Sequence, residues 1–188
     1  VEDDRDTIQP GDLTLLIIED DLNFVRILLD MARQQGFKGL VATRGNVGLE
    51  MAQQFKPTAI MLDIRLPVLD GWMVLDRLKH HADTRHIPVH IMSVEEGLQR
   101  SLRQGAIAHL QKPINSESLL NALVGIKEFV ERPVKNLLIV EDDEAQRQSI
   151  VELIGTTADV SSTAVGTGTE ALEALKTGRF DCLVLDLG

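Results

Sequence analysis

Leu16-Ile17-Ile18-Glu19-Asp20-Asp21 is an aliphatic run that ends in three acids, and the chain repeats it as Leu138-Ile139-Val140-Glu141-Asp142-Asp143, an offset of 122. A second landmark, Met61-Leu62-Asp63, returns as Val184-Leu185-Asp186 at an offset of 123. Two landmarks at nearly one offset mark two copies of one unit, with a single-residue change in length between them. The second copy, residues 134–188, has 55 residues, so only its first half is in the sequence. The expected organisation is an N-terminal tail (1–12), a complete unit (13–130), a short linker (131–133) and a truncated unit (134–188) with three strands and two helices.

Outward from the first landmark, short apolar runs alternate with helical patterns. Leu13–Ile18 is continuous and aliphatic, as a central parallel strand buried on both faces should be. From Leu22, the positions Val25, Leu28, Leu29 and Ala32 keep helical spacing, and Gly36 stops the helix. Further strands are predicted at Gly39–Ala42, Ala59–Leu62, Pro88–Met92 and Ala108–Gln111. Helices are predicted at Val47–Phe55, Gly71–His81, Glu95–Gln104 and, capped by Asn115 or Ser116, through Leu119, Leu120, Leu123, Ile126 and Val130. Five strands alternating with five helices give an α/β fold, a doubly wound five-stranded parallel sheet followed by half of a second copy.

Composition sets outer bounds. The 188 residues carry 19 Lys and Arg against 29 Asp and Glu, a net charge of −10, which argues against a nucleic-acid partner because that needs a basic face. A lone cysteine excludes an intrachain disulfide framework and a cysteine-based zinc cage. No apolar run approaches the ~18 residues that would span a bilayer. The opening Val1-Glu2-Asp3-Asp4-Arg5-Asp6 is no signal peptide and has no initiating Met, so the expectation is a cytoplasmic piece of a longer protein.

In an open α/β sheet, ligands sit beyond the carboxyl ends of the strands. Strand one ends in Glu19-Asp20-Asp21, strand three in Asp63 and strand four in Ser93, while Lys112-Pro113 follows strand five. Clustered carboxylates repel unless a cation lies among them, and a hard divalent ion such as Mg2+ suits a few carboxylates, carbonyls and waters. Asp20 or Asp21 taken singly could merely cap the following helix. Four successive strand ends delivering acids, a hydroxyl and an ammonium favour a site.

These residues resemble the response-regulator receiver domain from about Leu13 to Val130. The likeness runs through Glu19-Asp20-Asp21, Leu62-Asp63-Ile64-Arg65-Leu66-Pro67-Val68-Leu69-Asp70-Gly71, Ser93, Gly105-Ala106 and Lys112-Pro113. It implies a flavodoxin-like strand order 2-1-3-4-5 and phosphorelay signalling, with Asp63 accepting a phosphoryl group from a phosphohistidine. It also implies Mg2+ held by Glu19, Asp20, Asp63 and the Arg65 carbonyl. Ser93 would bond the phosphoryl oxygens, and Lys112 would pair with the charge beside a cis Lys112-Pro113 bond. A histidine kinase or histidine phosphotransfer domain would be the partner. Glu141, Asp142 and Asp186 occupy the matching positions of the truncated copy, a degenerate second site with no counterpart of Ser93 or Lys112. Tandem receivers with so short a linker resemble the tail of a hybrid histidine kinase; the fragment itself would not be an enzyme.

The sequence departs from that pattern in three places. His109 stands where the family has Tyr or Phe, Ile114 replaces the Phe that follows Lys-Pro, and 19 residues from Ser93 to Lys112 imply a trimmed fourth helix. Two other readings are a pseudo-receiver that only docks proteins and a haloacid-dehalogenase-like phosphatase. The latter wants a second Asp two residues after the nucleophile, where this chain has Arg65. Arg65 and Glu95 are a candidate ion pair over the site. His80, His81, His86 and His90 lack metal-ligand spacing and are expected at the surface or helix ends, Cys182 as a small buried hydrophobe, and Trp72 half-buried. Gly166-Thr167-Gly168 caps a helix over Thr169–Lys176. In the truncated copy, Cys182–Leu187 would be an unpaired edge, pointing to a homodimer through this unit.

Overall fold

The computed structural model describes residues 1–94, 98–131, 135–155 and 160–186. The chain divides into two compact units, Val1–Val130 and Glu131–Gly188. No helix among the described residues is long and apolar enough to cross a membrane.

In the first unit the strands β1 (Thr14–Ile18), β2 (Lys38–Ala42), β3 (Ala59–Asp63), β4 (Val89–Ser93) and β5 (Ala108–Gln111) alternate with α1 (Leu22–Gln34), α2 (Gly45–Phe55), α3 (Gly71–His80), α4 (Leu98–Arg103) and α5 (Ser116–Glu131). All pairings are parallel and the order is β2-β1-β3-β4-β5, as expected. Alternation along β1 explains the layers: Leu16 and Ile18 join Ile60, Leu62, Val74 and Leu78 on one face, whereas Leu15 and Ile17 join Met61, Leu28, Leu119 and Leu123 on the other. Every residue of β1, β3 and β4 is buried. Each buried Leu or Ile contributes roughly 1.5–3 kcal/mol, so a strand aliphatic on both faces belongs at the centre.

The helices follow their predicted stripes. Helix α1 buries Val25, Leu28, Leu29 and Ala32, starts at the Asp21 cap and stops before Gly36, whose φ of 88° is left-handed. Helix α2 comes so close to β1 that a Cβ at Gly48 would lie 2.5 Å from the Ile18 Cδ1. Helix α4 is only 6 residues in its described part. Residues 95–97, and with them the expected Arg65–Glu95 pair, lie outside the described residues.

One expectation is overturned here. His90 is not at the surface: it lies in the middle of β4, 7% exposed, opposite Met61 and Ala108. Because β4 is covered on both faces, neither parity of its residues meets solvent. His80, His81 and His86 are exposed as expected.

The second unit contains β6 (Lys135–Val140), α6 (Glu144–Gly155), β7 (Val160–Val165), α7 (Gly168–Thr177) and β8 (Cys182–Leu185), in a parallel sheet of order β7-β6-β8. That is the β2-β1-β3 arrangement repeated. Leu138, Val140 and Ala171 form its core with Val165, Ala174 and Phe180. Thr167 caps α7 in a reciprocal capping box with Glu170. Cys182 corrects another expectation, for it is exposed. All four residues of β8 are exposed: among the described residues the strand is the outer member of its sheet, and the aliphatic pattern that is buried in β3 is not covered here.

Candidate functional site

Parallel register sets the ends of β1, β3, β4 and β5 side by side. Ile18 pairs with Leu62, Asp63 with Met92 and Ser93 with Gln111, so the residues that follow converge on one rim. Glu19 donates its amide to the Ala42 carbonyl, which continues the ladder one step and aims its side chain inward. Asp21 turns to cap α1, accepting from the Asn23 and Phe24 amides at 2.9 and 3.3 Å. The helix-cap role therefore belongs to Asp21, and Asp20 is left exposed beside the pocket.

Glycine is required behind Asp63. A Cβ on Gly71 would overlap the Asp63 carbonyl oxygen, and the Gly71 amide donates to the Ile64 carbonyl at 2.9 Å. Asp70 caps α3 through the Trp72 amide at 2.8 Å. This Asp-Gly pair brings the start of α3 down onto the backbone that carries Asp63.

Glu19, Asp20 and Asp63 bring one carboxylate oxygen each to within 4.8 Å of one another. Glu19 and Asp63 are buried, at 1% and 4% exposure. The Lys112 Nζ lies 2.7 Å from the Glu19 Oε2 and 3.1 Å from the Asp63 Oδ1. Burial, aided by the Asp63 charge, raises the Glu19 carboxyl above its ordinary range, although Lys112 opposes the shift. For Lys112 burial works against the charge, but the hydrogen bond and the charges of Glu19 and Asp63 win, and the ammonium is held more tightly than usual. The Lys112 amide donates to the Ser93 carbonyl at 2.7 Å, and the Lys112-Pro113 bond is cis. Ser93 is 3% exposed. Arg65 follows on the exposed β3–α3 loop. The structure thus brings Glu19, Asp20, Asp63 and Lys112 into one pocket, with Ser93 at the adjoining strand end.

Several contacts lie beyond the reach of sequence reading. Lys112 sits over the Phe24 ring at 5.1 Å, and Arg100 covers the Trp72 ring at 4.1 Å. Trp72 is half-buried, as its position predicts. His109 is half-buried on β5 opposite Ile91; its Nε2 has no hydrogen-bond partner among the described residues, and burial lowers its basicity. Only Gly71 carried a signal beforehand, as the glycine that follows Asp70 in the Leu62–Gly71 stretch.

The second unit gathers Glu141, Asp142 and Asp186 in the same way, with carboxylate oxygens within 4.8 Å. Glu141 is buried and the other two are exposed. Here the nearby cation comes from the helix: the Arg147 Nη1 donates to the Glu141 carbonyl at 2.7 Å.

Known proteins match this arrangement. The family model for the response regulator receiver domain matches residues 15–124. Protein PilH of Pseudomonas aeruginosa is 32% identical over 112 residues, covering 58% of this chain and 93% of PilH. Response regulator PleD of Caulobacter vibrioides is 28% identical over 161 residues, 84% of this chain but only 34% of PleD. A match of that length extends past the first unit. Among solved structures, a putative response regulator from Chloroflexus aurantiacus superposes with a TM-score of 0.57 at 25% identity, covering 62% of this chain and 98% of its own. The receiver domain of sensor histidine kinase PA1611 from Pseudomonas aeruginosa, solved with a magnesium ion in its active site cleft, shares the fold (TM-score 0.56, 24% identity, 62% and 99% coverage). With the fold, the strand-end acids and the family model in agreement, the chain belongs to the response regulator receiver domain family of two-component signalling.

Proposed function

We propose that the first unit is a phosphorelay receiver in which Asp63 takes a phosphoryl group from a phosphohistidine on a histidine kinase or histidine phosphotransfer domain. The convergence of Glu19, Asp20, Asp63 and Lys112 carries this reading. Three carboxylates face one ammonium, and the two negative charges left over match a hard divalent ion. Glu19, Asp20, Asp63 and the Arg65 carbonyl would hold Mg2+, which supplies charge neutralisation and orientation for phosphoryl transfer. A carboxylate oxygen of Asp63 attacks phosphorus, the N–P bond breaks, and the imidazole keeps the electron pair. Lys112 stays protonated and pairs with the new acyl phosphate, and the Ser93 hydroxyl donates to its oxygens.

The second unit supports a tandem arrangement of the kind found in a hybrid histidine kinase. It repeats the strand order and the acidic triplet, and the match to PleD reaches into it. The exposed outer edge of β8 favours pairing with a second copy of the chain, since an unpaired apolar edge is a template for another strand.

Incubation with acetyl phosphate and Mg2+, read by intact mass, tests the receiver role. Wild type should gain one phosphoryl group and Asp63→Asn none. No uptake by wild type would leave a domain that only docks proteins.

A further inference from the structure

The N-terminal residues occupy a site of their own. β2 is the outer strand of the five-stranded sheet, and its Gly39 and Val41 amides point away from β1. The Gly39 amide donates to the Asp4 Oδ2 at 2.8 Å, and the Val41 amide donates to the Asp3 Oδ2 at 2.9 Å. In return, the Asp4 amide donates to the Gly39 carbonyl at 2.9 Å. Two side-chain carboxylates and one main-chain bond thus take the place of a sixth strand.

Arg33 makes the site selective. Its guanidinium grips both oxygens of Asp4, at 3.1 and 2.9 Å, and reaches the Glu2 carbonyl at 3.3 Å. Bidentate pairing of this kind recognises carboxylate geometry and not merely charge. Lys38 adds to the field that favours the Asp4 carboxylate. Arg5 folds back on Asp3 at 2.8 Å, and the Asp3 side chain is only 4% exposed. The cations that face the segment are Arg33 and Lys38, and Asp30 lies 3.9 Å from the Arg33 Nη1. The site is also far from the acidic pocket: α1 begins there at Asp21 and reaches Arg33 twelve residues later, about 18 Å along the axis.

What holds the segment is polar. The single turn Arg5–Thr7 buries no residue, whereas Ile8 packs against the core. Residues 1–7 can therefore leave while Ile8 stays anchored.

We propose that the β2 edge and Arg33 form a recognition site for an extended segment with two adjacent carboxylates. The chain fills this site in cis with Glu2-Asp3-Asp4, and an acidic segment of another protein competes for it. Such edge recognition draws affinity from main-chain donors and specificity from the side chains that flank them.

Amide NMR of the full chain tests this, with a synthetic peptide of sequence Val1–Thr7 as the probe. The cis segment acts at roughly millimolar effective concentration, so wild type should take up the free peptide weakly. In Asp3→Asn/Asp4→Asn the peptide should shift the Gly39 and Val41 amides with an affinity about tenfold or more higher. Adding Arg33→Ala, or placing both Asn substitutions in the peptide, should abolish that response while β1 and β3 amides keep their positions. In wild type, excess peptide should strip exchange protection from the Asp4 amide, an outcome that needs no variant to fold. Equal peptide response in wild type and the Asn variant, a response indifferent to Arg33, or an Asp4 amide unmoved by excess peptide would each overturn the proposal.

Discussion

Replacing His90 by Leu should flatten the acid sensitivity of the first unit. His90 lies in the middle of β4 between Met61 and Ala108, and its Nδ1 has no hydrogen-bond partner among the described residues. Burial lowers its pKa from 6.5 to about 4. A base whose pKa is depressed on folding binds its proton more readily in the unfolded chain. Its stabilising contribution is therefore complete above 6.5 and is lost as pH falls toward 4. At pH 5 the unfolded state has gained about 1.5 units of proton affinity that the native state has not, which at 1.36 kcal/mol per unit is about 2 kcal/mol. The assay is urea unfolding at pH 7 and pH 5, followed by the fluorescence of Trp72, the only tryptophan and a residue of the first unit. Carboxylates titrate alike in both proteins, so their contribution cancels in the difference. Wild type should lose about 2 kcal/mol more than His90→Leu on acidification, whatever offset repacking adds at pH 7. His80→Leu, at an exposed position, should behave as wild type. Parallel stability curves for wild type and His90→Leu would refute the buried, neutral histidine.

The acidic pocket yields three further expectations. Lys112→Met leaves the buried Glu19 carboxylate unpaired and should destabilise the first unit by about 2–3 kcal/mol at pH 7, less at lower pH as Glu19 takes up a proton; urea midpoints across pH measure it. Gly71→Ala drives a methyl group into the backbone of Asp63 and Ile64 and should cost about 3 kcal/mol or more, read as a fall in Tm. Asp20→Asn removes one of three clustered carboxylates, so it should raise Tm without Mg2+ and abolish the Mg2+-dependent change in Trp72 fluorescence. An Asp20→Asn protein that answers Mg2+ as wild type does would remove Asp20 from the site.

The strand order and the pocket are legible because they depend on local pattern. Leu13–Ile18 and Ala59–Leu62 are aliphatic at every position, which only a doubly covered strand tolerates, and the acids follow at the carboxyl ends where such sheets bind ligands. The same rule, applied to Val89-His90-Ile91-Met92, would have buried His90: in a strand covered on both faces, alternation leaves no solvent side. Cys182 fails for the opposite reason. Its strand has the composition of an interior one, but burial depends on elements that cover the faces of the sheet, and the outer position expected for Cys182–Leu187 is the better guide to its exposure. The Asp3 and Asp4 contacts were invisible for a third reason. They join side chains to backbone amides 38 and 35 positions away, and no periodicity marks the partner. The Lys112–Glu19 bond spans 93 positions; the strand-end rule put both residues on one rim, but nothing in the local pattern marks the bond between them.

Peptide mapping of the chain after reaction with acetyl phosphate and Mg2+ tests the central claim most directly, because it asks which carboxylate is modified. Asp63 is buried and has Lys112 within 3.1 Å, whereas Asp186 is exposed in its cluster with Glu141 and Asp142. One acyl phosphate is expected, carried by the peptide that contains Asp63, absent from Asp63→Asn and unchanged in Asp186→Asn. A phosphoryl group found on Asp186, or one that persists in Asp63→Asn, would contradict it.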